Sequence, residues 1–380
     1  MKLIDRPIDL KEINELISQF PVTAILGARQ SGKTTLANQL KFQHYFDLEN
    51  PQDLAGLENP QLTLENLKGL IVIDEIQRKP EIFPIIRYLV DNYSDQKYLI
   101  LGSASQQLIK QSSDSLAGRI AYKYLNGLQL FDIGHNYLDK LWLRGGFPKS
   151  LLAKSNKASI IWRENYITTF LERDIPQLGI NIPAYTLRRF WIMLSHYHGQ
   201  IINYSELGRS FGISDVTIRK YIEILENTFM IRILMPWYVN IKKRLVKRPK
   251  IYLRDSGIFH TLQSINSKNN LLTHPKLGAS WEGFALEAVC NILNKKNNEV
   301  FFWHTHNGVE IDLLWLNNGK MFGAEFKYND APKLTKSMHI AMKDLNMDSL
   351  QIIYPGQKSY YLATNIEVIP LSKFSNNPEE

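Results

Sequence analysis

Hydrophobic residues change rhythm twice along this chain. In the first third they come as short unbroken runs: VTAIL at 22–26, LIVI at 70–73 and YLIL at 98–101. Such a run, bounded by glycine or acid, predicts a strand covered on both faces, as in a parallel sheet. IAYKYL at 120–125 predicts a last strand of the same sheet. Between the first two runs, KTTLANQL spaces Leu36, Ala37 and Leu40 as a helix does.

After residue 125 the spacing becomes helical. LRGGFPKSLLA predicts a turn. IIWRENYITTFLERDI then sets Ile161, Tyr166, Ile167, Phe170 and Leu171 on one stripe, a core face. Its charges, Arg163, Glu164, Glu172, Arg173 and Asp174, read as a solvated, salt-laced face. YSELGRSFG predicts a short helix ended by Gly212. SDVTIRKYIEIL follows, opened by Ser214 as N-cap, with apolar Val216, Ile218, Tyr221, Ile222 and Leu225. That is a helix-turn-helix cadence. In a DNA reader Ser214, Asp215, Thr217, Arg219 and Lys220 would face the groove. A lid or connector fits the same pattern. The last third alternates again: VEIDLLWL, the turn NNGK, and MFGAEFKY predict a β-hairpin.

Chemistry enters at the end of the first run. Gly27-x4-Gly32-Lys33-Thr34 is a phosphate-binding loop pattern. Glycines let successive backbone N–H groups converge on phosphate oxygens, and the next helix would present its N-terminus. The expected nucleotide contacts are Gly27, Ala28, Arg29, Gln30, Ser31, Gly32, Lys33, Thr34 and Thr35. Lys33 would reach the β- and γ-phosphates, and Thr34 would ligate Mg²⁺. The second run ends in Asp74 and Glu75, at the strand end where open α/β sheets bind ligands. Asp74 would complete the Mg²⁺ shell, and Glu75 would activate water for attack on the γ-phosphate. The chain has no Asn-Lys-x-Asp run, so ATP is expected rather than a guanine nucleotide. Ser103, after the third run, is either a γ-phosphate sensor or a plain strand-end residue. Arg119 could neutralise phosphate charge, in its own or a neighbouring subunit, or pair with a carboxylate.

In the final hairpin Asp312 lies on the first strand, and Glu325 and Lys327 share a face of the second. An acid followed by Glu-x-Lys on the next strand is the constellation of PD-(D/E)xK nucleases. There the carboxylates hold a hard divalent ion and the lysine helps activate water. Asp312 and Glu325 are the expected metal ligands, with Glu282 as an outer carboxylate and Lys327 beside them. The same trio could instead be a salt-bridged docking surface. His304 and His306 lack zinc-like spacing to a further ligand.

GARQSGKTTL, IVIDEIQRKPEIFPIIRYLVD, LILGSAS and SLAGRI together resemble the prokaryotic AAA-type P-loop ATPases that carry an uncharacterised C-terminal region. LRGGFP, ITTFLERDI, KIYLRDSGIF, SWEGFALEAV and EIDLLW…GAEFKY extend the resemblance over nearly the whole chain. It implies an α/β protein in three parts: a P-loop AAA-type parallel-sheet ATPase core, a helical and winged-helix middle, and a C-terminal α/β restriction-endonuclease-like domain. The corresponding boundaries are 1–125, 126–240 and 241–380.

Composition narrows this modestly. The 380 residues suit two or three domains, and 44% hydrophobic with 22% charged is a globular profile. A single cysteine, Cys290, excludes an internal disulfide framework and agrees with a cytoplasmic setting. No signal-peptide core stands at the N-terminus, and FMIRILMPWYV, the most apolar stretch, is broken by Arg232 and Pro236, so no membrane span is expected. The net charge of +8 suits nucleic acid only mildly. IKKRLVKRPK (241–250) packs six basic residues into ten positions, as a solvated hairpin edge or a nucleic-acid contact. The resulting expectation is Mg²⁺-dependent ATP hydrolysis that repositions the other domains on a partner, DNA foremost. A metal-dependent DNA nuclease governed by ATP, or a nucleotide-dependent protein scaffold without turnover, are the alternatives, and an oligomer stays open.

Overall fold

The unbroken apolar runs do form strands of one parallel sheet. In the computed structural model, which describes residues 4–103, 112–238 and 246–375, helix α1 (Pro7–Gln19) leads into β1 (Val22–Leu26). Helix α2 (Lys33–Ala37), β2 (His44–Asp47), β3 (Gly69–Asp74), α3 (Phe83–Asn92), β4 (Gln96–Gly102) and β5 (Ile120–Tyr124) follow. The five strands pair in the order β2-β3-β4-β1-β5, every neighbour parallel. Alternate side chains enter separate cores. Val22, Ala24, Ile71, Ile73, Tyr98 and Ile100 pack with Phe83, Ile86 and Leu89 of α3. Ile25, Val72, Leu99 and Leu101 pack with Ile13 of α1 and with Leu36, Ala37 and Leu40. Both faces are covered, which is why these strands read as continuous rather than alternating. The helix expected over 33–40 is shorter, ending at Ala37 in a turn, yet Leu36, Ala37 and, beyond the helix, Leu40 are all buried.

The chain forms two compact units: Met1–Ile133 with Asn227–Phe229, and Gly134–Glu226 with Met230–Glu380. The first unit runs past the expected boundary at 125 because the next segment folds back on it. Arg6 Nη1 donates to the Asn126 carbonyl at 3.1 Å, and Arg6 Nε lies 3.6 Å from the buried carboxylate of Asp132.

The second unit begins with helices α4 (Leu138–Arg144), α5 (Asn156–Thr169) and α6 (Ala184–His196). It continues through β6 (Gln200–Ile201), α7 (Tyr204–Phe211), α8 (Asp215–Asn227), β7 (Ile231–Pro236) and β8 (Lys250–Leu253). Then come α9 (Ser256–Leu262), α10 (Leu277–Ile292), β9 (Val300–His304), β10 (Glu310–Asn317), β11 (Lys320–Phe326), α11 (Lys336–Asp344), β12 (Ser349–Tyr354), β13 (Tyr360–Ala363) and β14 (Ile366–Pro370). Its nine strands form one sheet, β13-β14-β12-β11-β10-β9-β7-β8-β6. Strand β7 is the join: Ile231–Leu234 pair antiparallel with β8, while Met235 and Pro236 pair parallel with β9. The boundary expected at 240 therefore falls inside a continuous sheet. The hairpin β10–β11 forms as expected, turning at Asn318 and Gly319 with φ of 49° and 78°. Positive φ at both central residues matches strand twist, hence the Asn-Gly pair.

Three expectations need correction. Ile161 and Val216 were placed on core stripes but are 48% and 75% exposed. Arg163 is not solvated: it is 1% exposed and donates to the carbonyls of Leu143 and Gly257 at 3.0 Å. A turn count explains Ile161, because the helix buries the side holding Arg163, Tyr166 and Ile167. Of the basic run 241–250, residues 241–245 lie outside the described residues; Lys247 and Arg248 are exposed and Lys250 is buried. Among the described residues no helix is long and apolar enough to cross a membrane.

Sheet and helix in the second unit are tied by a buried ion triad. Arg232 on β7 grips Glu287 of α10 through Nε and, at 3.0 Å, through Nη2, and Arg254 Nε reaches the same carboxylate at 3.2 Å. Burial alone would push the Glu287 carboxyl up, but the two guanidiniums overcome this and hold it at about 2. A depressed carboxyl stabilises the fold above its ordinary pKa and loses that contribution as pH falls toward the folded value. Glu287→Gln is expected to cost about 3–5 kcal/mol in urea unfolding at neutral pH, because it leaves buried guanidiniums uncompensated. The difference from wild type should shrink between pH 4.5 and about 2.

Candidate functional site

Parallel strands end on one side, and β4 stands between β1 and β3. The loop after β1 therefore arches past the end of β4, with Gly27 N–H donating to the Gly102 carbonyl at 3.4 Å. A Cβ on Gly27 would stand 2.2 Å from the Leu125 carbonyl oxygen, so only glycine fits. The turn uses left-handed backbone at Gly32 (φ 102°) and also at Gln30 (φ 61°), where no glycine stands. Ser31 is buried, and its hydroxyl has no hydrogen-bond partner. Lys33, 5% exposed, donates to the carbonyls of Gly27 and Ala28, each at 3.0 Å. Burial lowers its pKa to about 8, against the opposing pull of Glu75 and Asp74.

Thr34 and Asp74 meet across the sheet edge. Thr34 Oγ1 donates to Asp74 Oδ2 at 2.6 Å, and the Glu75 N–H donates to Asp74 Oδ1 at 2.8 Å. Glu75 itself adopts left-handed backbone (φ 55°, ψ 42°), which turns its side chain off the strand axis. Burial raises its pKa, opposed by Lys33 and reinforced by Asp74. Ser103, at the end of β4, comes to the same place: Gln77 Nε2 donates both to Glu75 Oε2 and, at 2.9 Å, to Ser103 Oγ. The structure thus brings together Lys33, Thr34, Asp74, Glu75 and Ser103. Arg29 pairs with Glu49 at 2.8 Å, and Thr35 is exposed one position beyond Thr34.

Two residues of this cluster escaped the sequence reading. Tyr45 on β2 donates its hydroxyl to Asp74 Oδ2 at 2.9 Å, and nothing in the half-buried strand HYFD marks it. Gln77 did carry a signal, since it follows the acid pair within one turn.

Arg119 stands apart from this cluster, and of its expected roles the pairing with a carboxylate is the one seen. It precedes β5, whose Ile120 pairs with Val22 at the start of β1, so it stands at the opposite edge of the sheet. Five strand residues separate that edge from the phosphate loop, about 16 Å. Its guanidinium holds Asp91 of α3 through two bonds, at 2.5 and 2.9 Å. A role on the nucleotide of its own subunit is excluded by that distance.

Residues 19–133 match the family model described as an AAA domain. Residues 135–269 and 277–374 match two models described as domains of unknown function, DUF8612 and DUF4143. Uncharacterized proteins of Mycobacterium tuberculosis and Mycobacterium bovis are each 44% identical over 372 residues, covering 97% of this chain and 84% of theirs. The chain belongs to their family. An uncharacterized protein of Haemophilus influenzae is 22% identical over 292 residues, 67% of this chain and 72% of its own. Among solved structures, the Walker-type ATPase PABY2304 of Pyrococcus abyssi aligns with a TM-score of 0.48 at 15% identity, over 69% of this chain and 96% of that one. The family-model match over residues 19–133 makes the first unit a P-loop ATPase domain of AAA type, and its residues fit a nucleotide with magnesium. The partnerless Ser31 hydroxyl faces the loop, and Thr34 with Asp74 offers the hard oxygen pair Mg²⁺ prefers.

The second expected cluster sits in the other unit. Asp312, Glu325, Lys327 and Glu282 do converge. Asp312 Oδ2 accepts the Phe326 N–H at 3.1 Å, Lys327 Nζ pairs with Glu325 Oε2 at 2.8 Å, and Asp312 shares a hydrogen bond with Glu325. A further cation lies among them. Lys250 Nζ contacts Glu310, lies 3.4 Å from Glu282 Oε1 and 3.5 Å from Asp312 Oδ1, and Tyr252 donates to Glu282 Oε1 at 2.6 Å. Among the described residues no three acids, histidines or cysteines are arranged to hold a metal ion. The residues around Asp312 and Glu325 therefore do not fit a divalent ion, because an ammonium occupies the centre of their charge. Lys250 and Tyr252 went unread because the basic run around them reads as surface.

In the AAA domain, the lowered Lys33 pKa gives a measurable consequence. A phosphate anion bound by Lys33 favours the protonated amine, so triphosphate affinity should fall as pH rises past about 8. With one linked proton, the limiting slope is about tenfold per pH unit. Fluorescence titration with a labelled ATP analogue from pH 7 to 10 should show that break, and Lys33→Arg, which does not titrate there, should show none.

Proposed function

We propose that this chain hydrolyses ATP with Mg²⁺ and uses the nucleotide cycle to change how its second unit holds a partner, DNA foremost. The observation that carries the reading is the convergence of Lys33, Thr34, Asp74, Glu75 and Ser103 at one sheet edge. Lys33 would leave its two loop carbonyls for the β- and γ-phosphates, and backbone N–H groups of Gly27–Thr34 would cradle them. Thr34 and Asp74 would hold a magnesium ion, which when bound supplies positive charge against the phosphates. Glu75 would take the proton of the attacking water, and its raised pKa strengthens it as a base. Gln77 holds Glu75 and Ser103 through one amide, so a γ-phosphate engaging Ser103 would free Glu75 to face the water.

DNA as partner is supported by the order α6-β6-α7-α8-β7-β8, with β8 antiparallel to both β6 and β7, the arrangement of a winged helix. The helix pair meets its expected signals: Gly212 closes α7 in left-handed conformation, and Ser214 Oγ accepts the Thr217 N–H at 3.2 Å. Of the five residues expected to face a groove, Asp215 accepts from Ser205 Oγ at 2.7 Å and Arg219 lies over the Tyr204 ring at 3.8 Å. That leaves few groups to read bases and favours phosphate contact by Lys220 on α8 with Lys247 and Arg248 before β8.

Phosphate release by the purified chain decides the first half. Glu75→Gln should lower turnover by about 100-fold or more while leaving ATP affinity nearly unchanged. Equal turnover in wild type and variant would overturn the assignment. For the second half, ATP turnover should rise when duplex DNA is added. Replacing Lys220, Lys247 and Arg248 with Ala should weaken duplex binding and reduce the slope of log affinity against log salt by about 3. Turnover indifferent to DNA would point to a protein partner instead.

A further inference from the structure

We propose that Lys250 is the resident cation of the C-terminal carboxylate cluster, standing where a nuclease-like fold would place its divalent ion and binding this cluster shut. Lys250 projects from β8 with 3% of its surface exposed, and its Nζ lies 5.5 Å from the centre of the Phe302 ring. Its ion contacts reach two elements: Glu282 on α10, and Glu310 and Asp312 on β10. Tyr252, two residues on along β8 and so on the same face, fixes Glu282 from the other side. The ammonium therefore supplies the positive charge these acids need in order to be buried together.

The remaining charges close around it. Burial together with the Asp312 charge pushes the Glu325 carboxyl well up, against the pull of Lys327, so Glu325 carries the proton of its hydrogen bond to Asp312. Asp312, held below the usual carboxylate range by Lys250 and Lys327 although burial opposes this, keeps its charge between the two ammoniums. A divalent ion at Asp312 would lie within a few ångströms of the Lys250 ammonium, and like charges that close in a poorly solvated site repel strongly. Water-activating metal chemistry has no place here, and the cluster acts mechanically. Lys250 fastens β8, which pairs with β6 and β7, onto the helix and strand of the C-terminal core. The C-terminal domain is a rigid seat for the helix pair and for β8, and does not cut nucleic acid. The inference is independent of the ATPase reading, since none of these residues belongs to the first unit.

The test is a count of bound Mn²⁺ on the full chain without nucleotide, with free ion read from its EPR signal. All variants are made on Thr34→Ala, so that the ATP site contributes no uptake. With Lys250 in place the protein should take up no Mn²⁺ at millimolar concentration. Lys250→Ala should take up one ion per chain, at least about 100-fold tighter, because the repelling charge is gone and the carboxylates remain. That uptake should vanish when Asp312→Asn is added. Lys250→Met, which keeps the packing over Phe302, replaces the alanine variant should that fail to fold. Mn²⁺ uptake by the protein with Lys250 intact, abolished by Asp312→Asn or Glu325→Gln, would overturn the proposal. So would a folded Lys250 variant that takes up no ion.

Discussion

The hydrogen bond between Thr34 and Asp74 depends on a constraint set far from either residue: five strands run parallel with β4 inserted between β1 and β3. Parallel strands deliver all their C-terminal ends to one edge, and the crevice there is where open α/β sheets bind ligands. The insertion gives that edge its width. The phosphate loop must cross the end of β4 to reach Asp74, which brings Ser103 beneath it and within reach of Gln77. Adjacent β1 and β3 would join loop and acid directly and leave the third strand end no place between them. The chemistry of the first unit is thus a property of strand order before it is a property of any side chain.

Two buried lysines show how environment separates poised from satisfied. Lys33 donates only to neutral carbonyls, and burial has lowered its pKa to about 8. Its charge is under-compensated, so an incoming polyanion improves it. Lys250 is buried to a similar degree but faces carboxylates, and its pKa is raised well above the usual lysine range although burial opposes this. Its charge is already matched, and a ligand could only displace it. The same residue type at the same burial marks a binding site in one unit and a fastening in the other. The partners of the ammonium decide which.

Much of the first unit was legible because its signals are local. A phosphate loop is contiguous in sequence, its strand and helix flank it, and the acid pair ends an unmistakable apolar run. The hairpin carrying Asp312 and Glu325 was legible for the same reason, with Asn-Gly naming the turn. What failed was whatever depended on a neighbour distant in sequence. Arg119 could be read as a phosphate contact or as the partner of a carboxylate, and only strand direction, which puts it at the far edge against Asp91, separates the two. Tyr45 reaches Asp74 only because β2 lies beside β3. Lys250 looked like one more cation in a solvated run, because no count of nearby residues reveals acids thirty-two and sixty-two positions further along the chain. The boundary at 240 misplaced the sheet because β7 changes partner midway along its length.

The helix pair and the C-terminal fold are easily treated as separate modules, but the sheet argues against it. Strand β7 pairs with β8 at one end and with β9 at the other, so the strand leaving α8 is hydrogen-bonded to the core strand beside Glu310. Arg232 on that strand is held by Glu287 of α10, and Lys250 on the next is held by Glu282 one turn and a half earlier on the same helix. Helix α10 thus grips both strands through acids on its buried side, at the two ends of the β7–β8 pairing. A displacement of α8 is resisted by backbone pairing and by two buried charge contacts at once. Movement of the helix pair against the C-terminal fold is therefore opposed along the whole of β7 and β8.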